Sequence, residues 1–285
     1  MGRLDGKVAV ITGGTRGLGL AIARAYAREG AAVMVASRSA SAVAAAVAGL
    51  RATGARADGR PCDVTDRAQV NALADAAVQA FSSIDIWVNN AGLSAPYGPT
   101  LAVEVERFLA VLRTQIEGTY LGSVAAMAEF MPRRSGKLIN MLGAGARGPV
   151  AYQNAYASGK TWIRSFTLAL AKEYRDSGVG VFAFQPGLMR TDLLTQPEVI
   201  AGYERRIQPL KTVMRMWAFE PEVPAEKAVW LASAATDGRT GLEVEQAGIG
   251  HYVLGALREG VRLVLRRPEP ETRFDVTSVA PAQGR

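Results

Sequence analysis

The chain is predicted to be an α/β protein of one domain, with short apolar strands and amphipathic helices in alternation. Three observations predict this. A β-branched run at residues 7–12 stops at the turn Gly13-Gly14-Thr15-Arg16-Gly17-Leu18-Gly19, and residues 20–29 then follow with helical periodicity up to Gly30. Strand and helix signals keep alternating beyond it, with strands at 32–36, about 56–61 and 84–88, a helix at 40–52, and a helix through Phe81 that Thr65 or Asp66 is placed to cap. The 285 residues are 49% hydrophobic and 21% charged and contain neither an internal repeat nor a second-domain linker.

Composition excludes several classes of function. One cysteine, Cys62, and one histidine, His251, permit no disulfide and no cysteine zinc cluster, so no metal site is expected. The net charge of +7 is spread along the chain without a basic stripe interleaved with aromatics, which argues against nucleic acid and for mild attraction of anionic small molecules. No apolar run reaches the ~18 residues of a membrane span and no signal-peptide core precedes the first strand, so a cytoplasmic protein is expected.

The chemistry starts at the glycine turn. Glycines let the backbone approach a pyrophosphate, which the N-terminus of the next helix holds with its free N–H groups and its dipole. After the second strand, Ser37-Arg38 stands where an acidic residue would meet a ribose 2′-hydroxyl. Arg38, with Arg16 from the turn, fits a 2′-phosphate instead, so NADP(H) is expected over NAD(H). Asp63 sits either at the adenine edge or simply at a strand end. Tyr156 and Lys160 share one helix face at i and i+4, where a cation favours the phenolate and lowers the phenol from its ordinary ~10. Taken alone, the pair also fits a half-buried tyrosine beside a solvated lysine.

The turn at residues 12–19, Asn89-Asn90-Ala91-Gly92 after the fourth strand, Tyr156-x-x-x-Lys160, and Pro186-Gly187 with Thr191 after the sixth strand stand in one order and at one spacing. In these motifs the chain resembles the short-chain dehydrogenase/reductase family over residues 6–241. The resemblance implies a three-layer, doubly wound Rossmann fold with about seven parallel strands over residues 1–250. It also implies Tyr156 as general acid and base, and Lys160 lowering its pKa and binding the nicotinamide ribose. The implied coenzyme contacts are Gly13, Thr15, Arg16, Gly17, Leu18, Gly19, Ser37, Arg38, Asp63, Val64, Asn90, Ala91, Gly92, Pro186, Gly187 and Thr191, besides the Tyr/Lys pair. A homodimer or homotetramer packing on the helices of Gln115 and Tyr156 would follow from the same likeness.

Two positions depart from the family pattern. The family serine thirteen places before the tyrosine is Gly143 here, and the family asparagine is Gln115, whose backbone carbonyl still serves a proton-relay water. Loss of one oxyanion-type donor costs about 100- to 1000-fold in rate. The first reading is therefore an NADP(H)-dependent enzyme interconverting a carbonyl and a secondary alcohol on an apolar, cyclic or long-chain metabolite. Ser94, Tyr152, Gln153 or Asn154 would replace the serine, and Gly143 would make room for a bulky substrate. The alternatives are reduction of C=N or C=C, or a coenzyme-binding sensor or assembly subunit with little turnover.

Residues 192–223 are expected to form a substrate lid, with Met189, Met214 and Trp217 as apolar contacts. Its Arg205, Arg206, Lys211 and Arg215 are either a solvated face or a receiver for an acidic carrier or carboxylate. Residues 251–285 form an extension. Val253, Leu254, Leu257, Val261, Val264 and Leu265 make an apolar stripe expected to pack on its own domain or a partner subunit rather than on a membrane surface. A mobile tail with Pro268, Pro270 and Pro281 is expected to follow.

Overall fold

The structure is a computed structural model that describes residues 2–269 and 273–282. Along the chain run β1 (Val8–Thr12), α1 (Gly17–Arg28), β2 (Ala32–Ser37), α2 (Ala40–Arg51), β3 (Ala57–Pro61), α3 (Arg67–Phe81), β4 (Ile86–Asn89), α4 (Val105–Phe130), β5 (Gly136–Met141), α5 (Asn154–Glu173) and β6 (Val179–Gln185). The segment expected to form the lid follows as α6 (Asp192–Thr195), β7 (Glu198–Ile200), α7 (Glu204–Ile207) and α8 (Pro209–Trp217). The chain continues through α9 (Glu222–Ala232), β8 (Glu243–Glu245), α10 (Ile249–Val264) and β9 (Thr277–Val279).

Seven strands make one parallel sheet in the order β3-β2-β1-β4-β5-β6-β8. The order reverses between β1 and β4, which makes this the doubly wound Rossmann arrangement, with a crevice where the two halves diverge. Strand residues alternate between two apolar clusters. Ile11, Val33, Val35, Val88 and Phe184 face α1, α2 and α9, whereas Val10, Met34, Trp87, Leu138 and Val181 face α3, α4 and α5. A parallel sheet buried on both faces needs continuous apolar strands, which is why β1 reads as an unbroken run and not as an alternation. Asp66 caps α3, accepting from the N–H groups of Ala68 and Gln69.

The extension departs from expectation in two ways. Its tail is extended, but β9 pairs in parallel with β7 of the lid, and Ala282 N–H donates to Ala102 O at 2.9 Å. The expected tail at Pro270 and beyond Ala282 lies outside the described residues. The apolar stripe of α10 is turned to solvent, because the side of the helix that meets the domain is its polar one. There Glu259 pairs with Arg215 and Arg262, and Gly255 lies so close to Trp217 that a β-carbon would come within 2.5 Å of its ring.

Candidate active site

The C-terminal ends of β1 and β4 are tied together by two side chains. Thr12 Oγ1 accepts from Asn90 N–H at 3.1 Å and Ala91 N–H at 3.2 Å, while Asn90 Nδ2 donates to the carbonyls of Thr12 and Gly13 at 3.0 and 3.1 Å. Asn89 points the other way, into the core, where its amide reaches Asn140 and Ser123. The glycine turn is therefore set by the neighbouring strand. Gly13 and Gly17 adopt φ of +64° and +51°, and a β-carbon on Gly19 would stand 2.1 Å from Gly13 O.

Above this switch point opens a cleft of about 230 Å³. Its walls include the glycine turn (Gly13, Thr15, Arg16, Gly17, Leu18 and Gly19), Ser37 and Arg38 after β2, Asp63 and Val64 after β3, and Asn90, Ala91 and Gly92 after β4. Tyr156 and Lys160 of α5, with Pro186, Met189 and Thr191 after β6, close the far side. The sequence-predicted residues thus converge, with exceptions. Gly187, at φ +79°, packs under Phe219 and does not line the cleft. Asp63 receives Thr65 N–H and Oγ1 on its own carboxylate, so it both ends the strand and lines the wall. Asp192 and Leu193, at the start of the expected lid, also line the cleft, as do Cys62, Leu93, Thr114, Met141 and Leu142, which were not anticipated. Each neighbours a recognised motif, but the side a strand-end residue faces is fixed by pleat and turn, which no motif records.

The walls fit a dinucleotide. The backbone around Gly13 and Gly19 forms a cradle that a β-carbon would fill. Helix α1 has neither a side-chain cap nor an acidic residue in its first turn, leaving its N–H groups and dipole directed at the turn. Arg16 and Arg38 are both exposed at the rim, and no carboxylate follows β2 before the N-cap Ser39 of α2.

Tyr156 and Lys160 reach the same place by the i,i+4 spacing of α5, with the ammonium 5.6 Å from the phenol ring centroid. Lys160 Nζ donates to Met141 O at 2.9 Å. Besides the lysine, burial acts on the phenol. Burial pushes Tyr156 up to about 12 and Lys160 down to about 8, because removing either group from water disfavours its charged form. The Tyr156 ring is half-buried, and its hydroxyl turns inward over Gly143, where a β-carbon would stand 2.3 Å from it. Cys62, likewise buried, is pushed up to about 11 and stays a thiol.

The remaining candidates separate. Gln115 is fully buried and does not line the cleft. Its Nε2 donates to Leu93 O at 3.3 Å, while its Oε1 has no hydrogen-bond partner and lies against Gly159, between the tyrosine and the lysine. It therefore positions α5 rather than facing the cleft. Tyr152, Gln153 and Asn154 line a small pocket on the other side of Tyr156, whereas the Ser94 hydroxyl donates to Ala95 O. Tyr152 packs at a tilt between Tyr97 and Tyr203, with Arg206 over its ring. Met214 is fully buried and Trp217 Nε1 donates to Tyr252 O, so these two residues pack inward and toward α10 and do not line the cleft. Of the lid cations, Arg215 is committed to Glu259. Among the described residues no group of three or more His, Cys, Asp and Glu side chains is arranged to hold a metal ion, and no helix is long and apolar enough to cross a membrane.

Lys160 carries a pH signature. The unfolded lysine keeps its proton to its ordinary 10.5, and the folded one loses it near 8, so the unfolded state binds more protons in between. The cost of burying the ammonium is fully present below pH 8 and is relieved as pH rises toward 10.5. Denaturation midpoints measured from pH 8 to 10 are expected to rise in the natural protein relative to Lys160→Met.

Residues 7–198 match the family model described as short chain dehydrogenase. The chain is 33% identical over 240 residues to 3beta-hydroxysteroid dehydrogenase 1 of Eggerthella lenta, covering 84% of this chain and 91% of the relative. Among solved structures, a variant of actinorhodin polyketide ketoreductase crystallised with NADPH superimposes with a TM-score of 0.77 at 26% identity, over 86% of this chain and 97% of that one. A 3-ketoacyl-(acyl-carrier-protein) reductase from Brucella melitensis in complex with NADH gives 0.76 at 28% identity, over 85% and 97%.

Proposed function

The chain belongs to the short-chain dehydrogenase family, an oxidoreductase family, and on that premise we propose that it is an NADP(H)-dependent enzyme interconverting a carbonyl and a secondary alcohol on an apolar metabolite. The observation that carries this reading is the convergence of Tyr156 and Lys160 with the glycine turn on one cleft. A bound nicotinamide coenzyme supplies hydride transfer. The glycine turn and the N-terminus of α1 would hold its pyrophosphate, and Arg16 and Arg38 its 2′-phosphate. Tyr156 holds a proton on Oη for the substrate oxygen, and the apolar walls at Met141, Leu142 and Met189 exclude water from it. Lys160, anchored on Met141 O, orients toward the ring and the ribose side of the cleft. Gly143 stands where the family carries its serine, and Gln115 where it carries its asparagine. Gln153 and Asn154 line the small pocket on the other side of Tyr156, and a replacement for the serine hydroxyl would come from there. A protein with Leu109, Tyr120 and Val124 exposed along α4 also fits a homodimer or homotetramer.

A second reading, coenzyme binding with little turnover, is favoured by one observation. The Tyr156 hydroxyl occupies the space over Gly143 instead of meeting a second donor there.

Titration by coenzyme fluorescence tests the first part. NADPH is expected to bind more tightly than NADH, and Arg38→Asp should weaken NADPH about 10- to 100-fold, the worth of a charge-assisted phosphate contact, while sparing NADH. Equal affinities in the natural protein would remove the 2′-phosphate assignment. Single-turnover oxidation of bound NADPH against apolar ketones then separates the enzyme from the binding protein.

A further inference from the structure

The outward face of α10 is the largest uninterrupted run of exposed apolar side chains on one element of the molecule. Ile249, Val253, Leu257, Val261 and Val264 follow one another along it, with exposures from 51% at Val253 to 84% at Ile249, and Leu254 and Leu265 widen it. Helical amphipathicity ordinarily puts such a stripe inward. Here the polarity is inverted, and the inversion is built in. The carboxylate of Glu259 faces the domain and is held by the guanidinium groups of Arg215 and Arg262, whereas Gly255 lets the helix seat against Met216 and Trp217 with no side chain between. The domain takes up the helix's only acidic group and leaves its apolar groups outside.

What covers that face is indicated by charge. The exposed cations beside the stripe are Arg258 within α10 and Arg266 and Arg267 just beyond its end; α10 itself presents no exposed carboxylate, and Glu269 beyond it is paired with Arg215 and Arg262. If a second copy packed antiparallel about Leu257, Arg258 of each copy would approach its mate with no acid on either helix to balance it. An anionic lipid surface supplies the missing counter-charge and accepts the leucine and valine side chains together. We infer that α10 is an interfacial helix that seats the protein on anionic membrane surfaces through Leu257 and its apolar neighbours, with Arg258, Arg266 and Arg267 at the headgroups. The site lies close to the cleft. His251, at the start of α10, stacks on Phe219 at 4.2 Å between centroids, and Phe219 bridges to Met189 of the cleft wall. The inference does not depend on the coenzyme or the reaction proposed above.

The test is sedimentation of the full chain with phosphatidylcholine vesicles and with mixed phosphatidylcholine/phosphatidylglycerol vesicles, alongside gel filtration and thermal melting. Binding is expected only with the anionic vesicles and should weaken with salt. It should fall about fivefold in Arg258→Gln and more than about tenfold in Leu257→Glu, with the melting temperature kept. Failure of the natural protein to sediment with anionic vesicles would overturn the inference, and that comparison needs no variant. Equal binding to neutral vesicles would remove the role of the arginines. If Leu257→Glu instead shifts elution to a smaller species while no vesicle binding is seen, the face belongs to a second copy and the inference fails.

Discussion

Tyr156→Phe is expected to lower carbonyl reduction about 100- to 10,000-fold, the range for loss of a positioned general acid, while leaving NADPH binding nearly unchanged. The substitution removes only Oη, the atom that lies over Gly143 and that no other side chain replaces. Burial gives the prediction a pH dependence. Because the phenol is pushed up to about 12, it keeps the proton it must donate throughout the neutral and mildly alkaline range. Reduction by the natural protein should not titrate with the phenol until pH approaches 12, whereas alcohol oxidation, which needs the phenolate, should climb as pH rises. A reductive rate that fell through pH 9 would show either that a nearby cation brings the phenol down in the working enzyme or that a different group supplies the proton. Turnover surviving in the phenylalanine variant would remove Tyr156 from the chemistry altogether.

Gly19→Ala is expected to have the largest effect on folding of any single-methyl change at the cleft. The added carbon would meet Gly13 O at 2.1 Å and Asn90 Nδ2 at 2.5 Å, two atoms already joined by a hydrogen bond that locks β1 to β4. Neither can retreat without breaking that bond, and one of them is backbone. A loss of about 3 kcal/mol is expected, at the upper end of overpacking costs, with coenzyme affinity falling alongside because the turn itself must shift. Chemical denaturation read together with an NADPH titration checks it. Natural stability combined with natural affinity would mean the turn is softer than its hydrogen bonds indicate.

Much of this molecule was legible in the sequence because its elements are local. The β1 run, the glycine turn and the i,i+4 spacing of Tyr156 and Lys160 each depend on neighbours a few residues apart, and each is where periodicity puts it. What the sequence could not convey is which way a correctly recognised group faces. Asn89 and Asn90 are adjacent and identical, yet one, the last residue of β4, enters the core and the other, the first beyond the strand, holds the turn. Met214 and Trp217 sit in the lid segment as expected but pack against their own fold. The stripe of α10 was recognised except for Ile249, but that it would not pack on its own domain was not legible, because Glu259 pairs with Arg215 of α8, far away in the chain, besides Arg262 of its own helix. Burial is likewise invisible to the i,i+4 spacing: the sequence puts the lysine beside Tyr156, but only the fold shows how far both groups are withdrawn from water.

The pairing of β9 with β7 has a consequence for how the protein is made. The lid segment leaves the ribosome well before the residues that complete its two-stranded sheet, so during synthesis the cleft is walled by β1 to β6 while its cover still lacks an edge. Assembly of the molecule is thus ordered in time: the half of the cleft that holds the glycine turn is fixed first, and its cover is fastened by residues that emerge later.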